Sequence, residues 1–302
     1  MPLFLAARLW YLVLRKRNPL ATLNRNVMEN PMVKKILTIL SATLLVASLA
    51  QAQTSIRVDG STTVLPAMQK IVEAYMKANP GVSITVSGTG SGNGIKAIID
   101  GTTTIAMASR AMEPKELDAA KAKGHPVTPM VIANDAIMPI VNPANPVKDL
   151  SATQLQGIFS GKITNWKEVG GENKDIVVIS RDTSSGTYEA WNELIMKGAK
   201  VAPSALLQAS SGAVMEVVSK NKAAIAYDGI AYVTNAVRGL SVNGIMGGAA
   251  TVADKTYPVA RPLFIIVPNT MDPATKKFVD FIMSAADGQK IIGEVGYFPV
   301  NK

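Results

Sequence analysis

At 302 residues the chain is long enough for one large core or for two domains. It has no cysteine and one histidine, which excludes disulfides, thiolate metal sites and a cysteine nucleophile, and leaves little for histidine-based metal binding or serine–histidine catalysis. The formal net charge of +9 is no argument for nucleic acid: residues 1–52 hold 7 of the 31 basic and 1 of the 22 acidic residues, so the remainder carries 24 against 21, without aromatic-plus-basic interleaving.

Residues 1–31 contain an apolar run broken by Arg8 and then Arg15-Lys16-Arg17. They read either as an extended leader or as upstream sequence, and the second reading is preferred because Met32 opens a complete signal by itself. Lys34 and Lys35 form its basic head, residues 36–50 its uncharged apolar run, and Ala50-Gln51-Ala52 a small-x-small cleavage site. The run is short of the roughly 20 residues of a spanning helix. With no cysteine to lipidate, the expected product is a soluble exported protein beginning at Gln53 or Thr54.

From there the pattern alternates. Residues 56–58 read as a strand, and Asp59-Gly60-Ser61-Thr62-Thr63 turns into a helix with Leu65, Met68, Ile71, Val72, Tyr75 and Met76 on one face. Residues 82–86 form the next strand, and a glycine/hydroxyl loop over 87–94 leads into a helix from about Ile95 to Ile99. After a strand over 104–108 come Ser109-Arg110 and a charged helix over 113–123. This strand, polar loop, helix rhythm predicts an α/β fold with a largely parallel sheet.

Residues 131–143 form a long extended segment, and residues 258–268 form a second. Two crossings predict two lobes: 54–133 with 257–302, and 134–256 between them. In the middle, a helix begins near Ser151, Leu155 to Phe159 and Trp166 look structural, and a strand over 176–179 feeds Ser180-Arg181-Asp182-Thr183-Ser184-Ser185-Gly186-Thr187 before a helix over 188–196. Ala223 to Tyr227 and Ile230 to Val233 add apolar segments. Asp272-Pro273 opens a late helix with Phe278, Val279, Phe281, Ile282 and Met283 toward the core.

Three glycine/hydroxyl loops, at 60–63, 88–94 and 184–187, therefore follow strands. Each alone is explained by ordinary helix capping. Together they suit an oxyanion, because glycine allows close backbone approach, successive N–H groups form a concavity, and hydroxyls donate further bonds. Arg181 can present two parallel donors to a tetrahedral anion. Asp182 either holds that arginine or forms the turn. Arg110 is a second candidate cation for the cleft or one end of a salt bridge. Asp135 lies on a crossing and fits hinge hydrogen bonding best. Tyr227 and Asp228 could border the cleft from the second lobe, but a packed tyrosine and a turn aspartate explain them as well, and His125 reads as a surface residue. The glycine spacing fails the dinucleotide pattern at Asn93, and no phosphate-loop lysine follows Gly94.

The chain resembles the periplasmic phosphate-binding proteins, the solute receptors of phosphate ABC transporters. The matching stretches run from Asp59-Gly60-Ser61-Thr62-Thr63-Val64-Leu65-Pro66 through Gly90-Ser91-Gly92-Asn93-Gly94, residues 132–146, residues 155–166 and the Ser180 to Thr187 motif to Arg261-Pro262-Leu263. The resemblance implies a two-lobed α/β periplasmic binding protein with extended interdomain crossovers, working as a monomer without cofactor, metal or catalysis. Its expected partners are inorganic phosphate and a membrane ABC permease. The expected phosphate ligands are Thr62, Thr63, Ser91, Arg181, Ser185, Gly186 through its backbone N–H, and Thr187, with Ser109 and Arg110 at one further locus. At that locus well-known relatives place an aspartate that accepts the proton of monohydrogen phosphate, and Ser109-Arg110 stands there instead. Another oxyanion such as sulfate or molybdate, or an exported phosphatase, is the alternative.

Overall fold

The structure, a computed structural model, describes Pro31, Met32 and residues 54–301; the expected export signal at 32–52 lies outside the described residues except for Met32. Among the described residues no helix is long and apolar enough to cross a membrane. The chain from Thr54 onward forms one unit.

That unit begins with β1 (Thr54–Gly60), α1 (Leu65–Ala78), β2 (Val82–Gly88), α2 (Ser91–Ile99), β3 (Ile105–Ala108) and α3 (Pro114–Ala122). β1 pairs in parallel with β2 and with β3. β3 is buried along its whole length, and its side chains alternate between two helical layers. Ile105 and Met107 pack with Met68, Ile71 and Phe278, whereas Ala106 and Ala108 pack with Ile95, Ile98 and Ala120.

β4 (Val127–Val141) then leaves this layer. The middle of the chain follows as β5 (Asp149–Leu150), α4 (Ala152–Phe159), a 3₁₀ turn at Trp166–Val169, β6 (Val177–Arg181), α5 (Gly186–Trp191) continued by a π turn at Asn192–Met196, β7 (Leu206–Gln208), α6 (Ser211–Lys220) and β8 (Ala224–Gly229). After a 3₁₀ turn at Ile230–Tyr232 and the short strands β9 (Arg238–Gly239) and β10 (Ser241–Val242) come α7 (Ala249–Ala253), β11 (Ala260–Pro268), α8 (Pro273–Met283), α9 (Gly288–Val295) and β12 (Phe298–Pro299). Ser151, Ser185, Ser210 and Asp272 cap α4, α5, α6 and α8 with side-chain oxygens.

One strand joins the two halves. β4 pairs antiparallel with β11 from Val127 to Ala136, and from Ile137 to Val141 it pairs antiparallel with β8. The strand order is β2-β1-β3-β11-β4-β8-β6-β7. The core divides on either side of this junction. One apolar cluster draws on Ala136 through Val259, around stacked Trp191 and Tyr227 at 4.4 Å; the others draw on Ile56 through Ala133 and Leu263 through Tyr297. The fold is thus α/β and two-lobed, with extended crossovers.

Three local expectations change. The sheet is parallel around β1 and β6, but the crossovers run antiparallel, because each enters its layer from the opposite side. α2 starts at Ser91, four residues before the predicted start, despite Gly92 and Gly94. The reason is packing: a Cβ on Gly94 would meet Gly60 Cα at 2.5 Å, so Gly94 lets α2 lie directly on β1, while Gly92 faces the Ser184 backbone. The helix predicted over 188–196 starts at Gly186 and widens to a π turn, ending where Lys197 takes a left-handed conformation.

Candidate anion site

Loops at the carboxyl ends of the strands converge on one cleft between the lobes. β1 delivers Ser61, Thr62 and Thr63, α2 opens on Ser91, and β3 runs into Ser109. From the other side β6 ends on Arg181, its loop leads to Ser185, Gly186 and Thr187, and α6 opens on Ser211. None of the polar side chains among these is more than 3 % exposed.

The two faces bond to each other. Thr63 Oγ1 and Thr187 Oγ1 are 2.9 Å apart, and Gly92 N–H donates to the Ser184 carbonyl at 2.9 Å. Arg181 Nη2 donates to Thr62 Oγ1 at 3.2 Å, and Ser211 N–H donates to the same oxygen at 3.3 Å. Ser91 Oγ accepts the Ser109 N–H at 3.0 Å and lies 3.2 Å from Ser109 Oγ. A Cβ on Gly186 would stand 2.6 Å from Ser91 Oγ and 2.8 Å from Ser109 Oγ. Only glycine lets the α5 backbone reach those hydroxyls.

Arg181 is the centre of this arrangement. Its Nε and Nη2 are held by the Gln208 and Ala209 carbonyls at 3.1 and 3.2 Å, and Nη1 donates to Ser211 Oγ at 3.2 Å. The guanidinium is 1 % exposed, yet it is in none of the ion pairs among the described residues. Burial pulls its pKa down, against the through-space pull of Asp228 and Asp182. A buried cation with no ion pair among the described residues, held by hydroxyls and backbone carbonyls alone, is poised for an anion.

Arg110 is placed differently. Both terminal nitrogens reach Glu116 at 2.8 Å, Nη1 also donates to the Ala111 carbonyl, and Nε lies 2.5 Å from Glu189 Oε2 on α5. Its fork is taken by two carboxylates, one on each lobe. Thr62, Thr63, Ser91, Ser109, Arg181, Ser185, Gly186 and Thr187 are brought together, and the Arg110 guanidinium points into this ion-pair cluster. Asp182 accepts from Ser184 N and Oγ and so forms the turn. Asp135 is fully buried, accepts the Ile230 N–H at 3.0 Å and pairs with Arg261. His125 is exposed, with Nδ1 2.9 Å from the Ile99 carbonyl.

Several participants escaped sequence reading. Ser210-Ser211-Gly212 is another hydroxyl/glycine cap before a helix, and that signal could have found Ser211. Tyr232 and Tyr297 donate to the Thr62 and Thr63 carbonyls at 2.7 and 2.6 Å, from positions with no local motif. Tyr227 is a packing residue stacked on Trp191, with its hydroxyl 2.9 Å from Ser180 Oγ. Asp228 is fully buried beside Arg181 and Ser211; burial, only partly offset by Arg181, pushes its carboxyl up to about 6. No cluster of potential metal ligands occurs among the described residues.

Comparison with known proteins agrees with this architecture. Residues 46–286 match the family model of the PBP superfamily domain. The phosphate-binding protein PstS of Bacillus subtilis is 31 % identical over 252 residues, covering 83 % of this chain and 82 % of the relative. PstS of Borreliella burgdorferi is 30 % identical over 81 % of this chain and 90 % of its own length. Among solved structures, a substrate-binding protein from Clostridium perfringens with bound phosphate superposes with a TM-score of 0.76 at 36 % identity, covering 82 % of this chain and all of that one. An ABC-type phosphate transport receptor from Vibrio cholerae gives 0.66 at 33 % identity, over 80 % of this chain and 99 % of its own. With a buried guanidinium between hydroxyl-lined loops and relatives of this kind along most of its length, the chain belongs to the PBP superfamily, in the family of the phosphate-binding protein PstS.

Proposed function

We propose that this protein captures inorganic phosphate outside the cytoplasm and hands it to a membrane ABC permease. The observation that carries this reading is Arg181: a guanidinium 1 % exposed, outside every ion pair among the described residues, with Thr62 and Ser211 hydroxyls and the Gln208 and Ala209 carbonyls around it. A tetrahedral anion supplies the missing charge and accepts several of these donors at once. The proposed ligands are Thr62, Thr63, Ser91, Ser109, Arg181, Ser185, Gly186 and Thr187; Arg110, tied to Glu116 and Glu189, is assigned to holding the lobes rather than the ion.

The mechanism needs no reaction. The proposed lobes, 54–133 with 257–302 and 134–256, open about the strands β4 and β11 and close on the ion. Closure completes the Thr63–Thr187 and Gly92–Ser184 bonds and excludes water, and opening at the permease reverses it. Export by the segment 32–52 and action as a monomer belong to the same reading. Its test is titration of dephosphated protein with phosphate, sulfate, arsenate and molybdate. Stoichiometric, saturable phosphate binding without phosphomonoester turnover is expected. Turnover by the metal-free protein would favour an exported phosphatase instead.

A further inference from the structure

The loop at Ser61–Thr63 turns into α1 with one carbonyl left over. The Ser61 carbonyl accepts the Leu65 N–H at 3.1 Å and the Val64 carbonyl accepts the Met68 N–H at 3.1 Å, each from four residues on. The donor in the same position for the Thr62 carbonyl would belong to residue 66, which is Pro66 and has no N–H. No backbone N–H among the described residues reaches that carbonyl. Tyr232 donates its hydroxyl to it instead, at 2.7 Å and from 170 positions along the chain. The consequence falls on the Thr62 side chain. Its oxygen accepts from Arg181 Nη2 at 3.2 Å and from the Ser211 N–H at 3.3 Å, so both lone pairs are engaged and the hydroxyl proton is left to donate. Ser211 Oγ lies only at the limit of its reach, 3.5 Å away.

We propose that Tyr232 is a positioning residue of the anion site, its hydroxyl standing in for the N–H that Pro66 lacks and so aiming Thr62 at the ion in the closed form. The assignment rests on the reading of the cleft as a phosphate site. Tyr232 ends the turn that follows β8, where the halves of the chain join: the Ile230 N–H in that turn donates to Asp135, and the Ile230 side chain packs against two of the apolar clusters. Thr62 is 3 % exposed, so water cannot replace the tyrosine while the cleft is closed. Once the cleft opens, water can. An orphaned carbonyl is costly only where water is excluded, so the loss of this hydroxyl falls on the closed, ion-bound state rather than on the folded chain as such.

The test is calorimetric titration with inorganic phosphate of the stripped full-length protein, of Tyr232→Phe, and of Tyr232→Phe combined with Pro66→Ala. Removing the hydroxyl should weaken phosphate binding by roughly 5–100-fold, the cost of leaving a buried acceptor unpaired. Urea unfolding of the phosphate-free variant should change little. Pro66→Ala returns an N–H four residues after Thr62, so the double variant should recover most of the lost affinity, a rescue that lost packing would not show. An unchanged affinity in Tyr232→Phe sinks the Tyr232 assignment and leaves the phosphate site standing. A loss that Pro66→Ala leaves in place, or that phosphate-free unfolding matches in full, sinks it as well. No phosphate binding by the unsubstituted protein sinks both. A crystal structure of the unsubstituted protein with phosphate decides the matter even if the variant fails to fold. Thr62 should then touch the ion while the Tyr232 hydroxyl holds its carbonyl, and the absence of either contact would overturn the proposal.

Discussion

Arg261 and Asp135 face each other as register partners on the two crossover strands, and their side chains close an ion pair in which Nε and Nη2 both donate to Oδ2, at 3.0 and 2.9 Å. The same guanidinium reaches the Ser109 carbonyl at 3.2 Å and Thr63 Oγ1 at 3.5 Å. One buried ion pair thus fixes the junction of the lobes and two loops of the proposed anion site. Removing one member leaves the other charged and uncompensated in the interior, a loss of about 3–5 kcal/mol. Arg261→Ala should show that loss in urea unfolding. Asp135→Asn combined with Arg261→Met should recover part of it, because the paired replacement leaves no buried charge. A loss in the double variant equal to the sum of those of Asp135→Asn and Arg261→Met alone would show that the pair does not act as a unit.

Arg181→Ala should weaken phosphate binding by at least ~100-fold, the lower range for truncating one partner of a buried charge interaction. Arg181→Lys should also bind poorly, since an ammonium cannot span Ser211, Thr62 and the Gln208 and Ala209 carbonyls with one planar fork. Calorimetry on refolded, phosphate-free protein measures both. An affinity unchanged in Arg181→Ala would remove the central element of the site.

Much of this was legible from the chain because the signals are local. Alternating apolar residues, glycine/hydroxyl loops after strands and capping residues such as Ser151 and Asp272 are set within a few residues of one another, and each produced its element. What was not legible depends on pairing distant segments. Asp228 read equally well as a turn residue, and only the fold places it beside Arg181, from which it is 47 positions distant in sequence. Arg110 had the right charge for a ligand, but Glu189, on the other lobe, takes its Nε. The early start of α2 depends on Gly94 lying against Gly60, a close approach that helix propensity alone opposes.

Gly186→Ala tests closure separately from ligand chemistry. The new methyl carbon would stand 2.6 Å from Ser91 Oγ and 2.8 Å from Ser109 Oγ, both buried and held by each other, so the lobes cannot reach the same approach. Affinity for phosphate should fall by roughly tenfold or more, the scale of a core overpacking penalty of about 1–3 kcal/mol. Small-angle scattering in saturating phosphate should report a larger radius of gyration than for the unsubstituted protein. A variant that closes and binds normally would contradict the contact.

Arg110→Ala separates latch from ligand. As a bridge from Glu116 to Glu189, half-buried and between lobes, Arg110 stabilises the closed form by an amount closer to a partly exposed ion pair than to a buried ligand contact, about 1 kcal/mol. The variant should bind phosphate only several-fold more weakly, with the loss in a faster off-rate and reduced by high salt. A loss as deep as that of Arg181→Ala would place Arg110 on the ion.

The Asp228 carboxyl gives the empty protein a pH dependence of definite sign. Burial raises its pKa from the usual aspartate range to about 6 in the fold, so the folded state holds this proton more tightly than the unfolded chain does. Its contribution is therefore fully present below about pH 4 and is lost as the pH rises through about 6, in total about 3 kcal/mol. Asp100 acts in the opposite sense: Lys123 and Lys96 hold it down to about 2, so its contribution is present above the usual aspartate range and disappears as the pH falls toward 2. Comparing the protein with Asp228→Asn cancels Asp100 and every other shared group. In urea unfolding without phosphate, the stability difference should move in favour of the variant between pH 4 and pH 7.5, by up to about 3 kcal/mol. A difference that stays constant over that range would mean that Asp228 ionises in the fold as it does in the open chain, and its burial beside Arg181 would then carry no electrostatic cost.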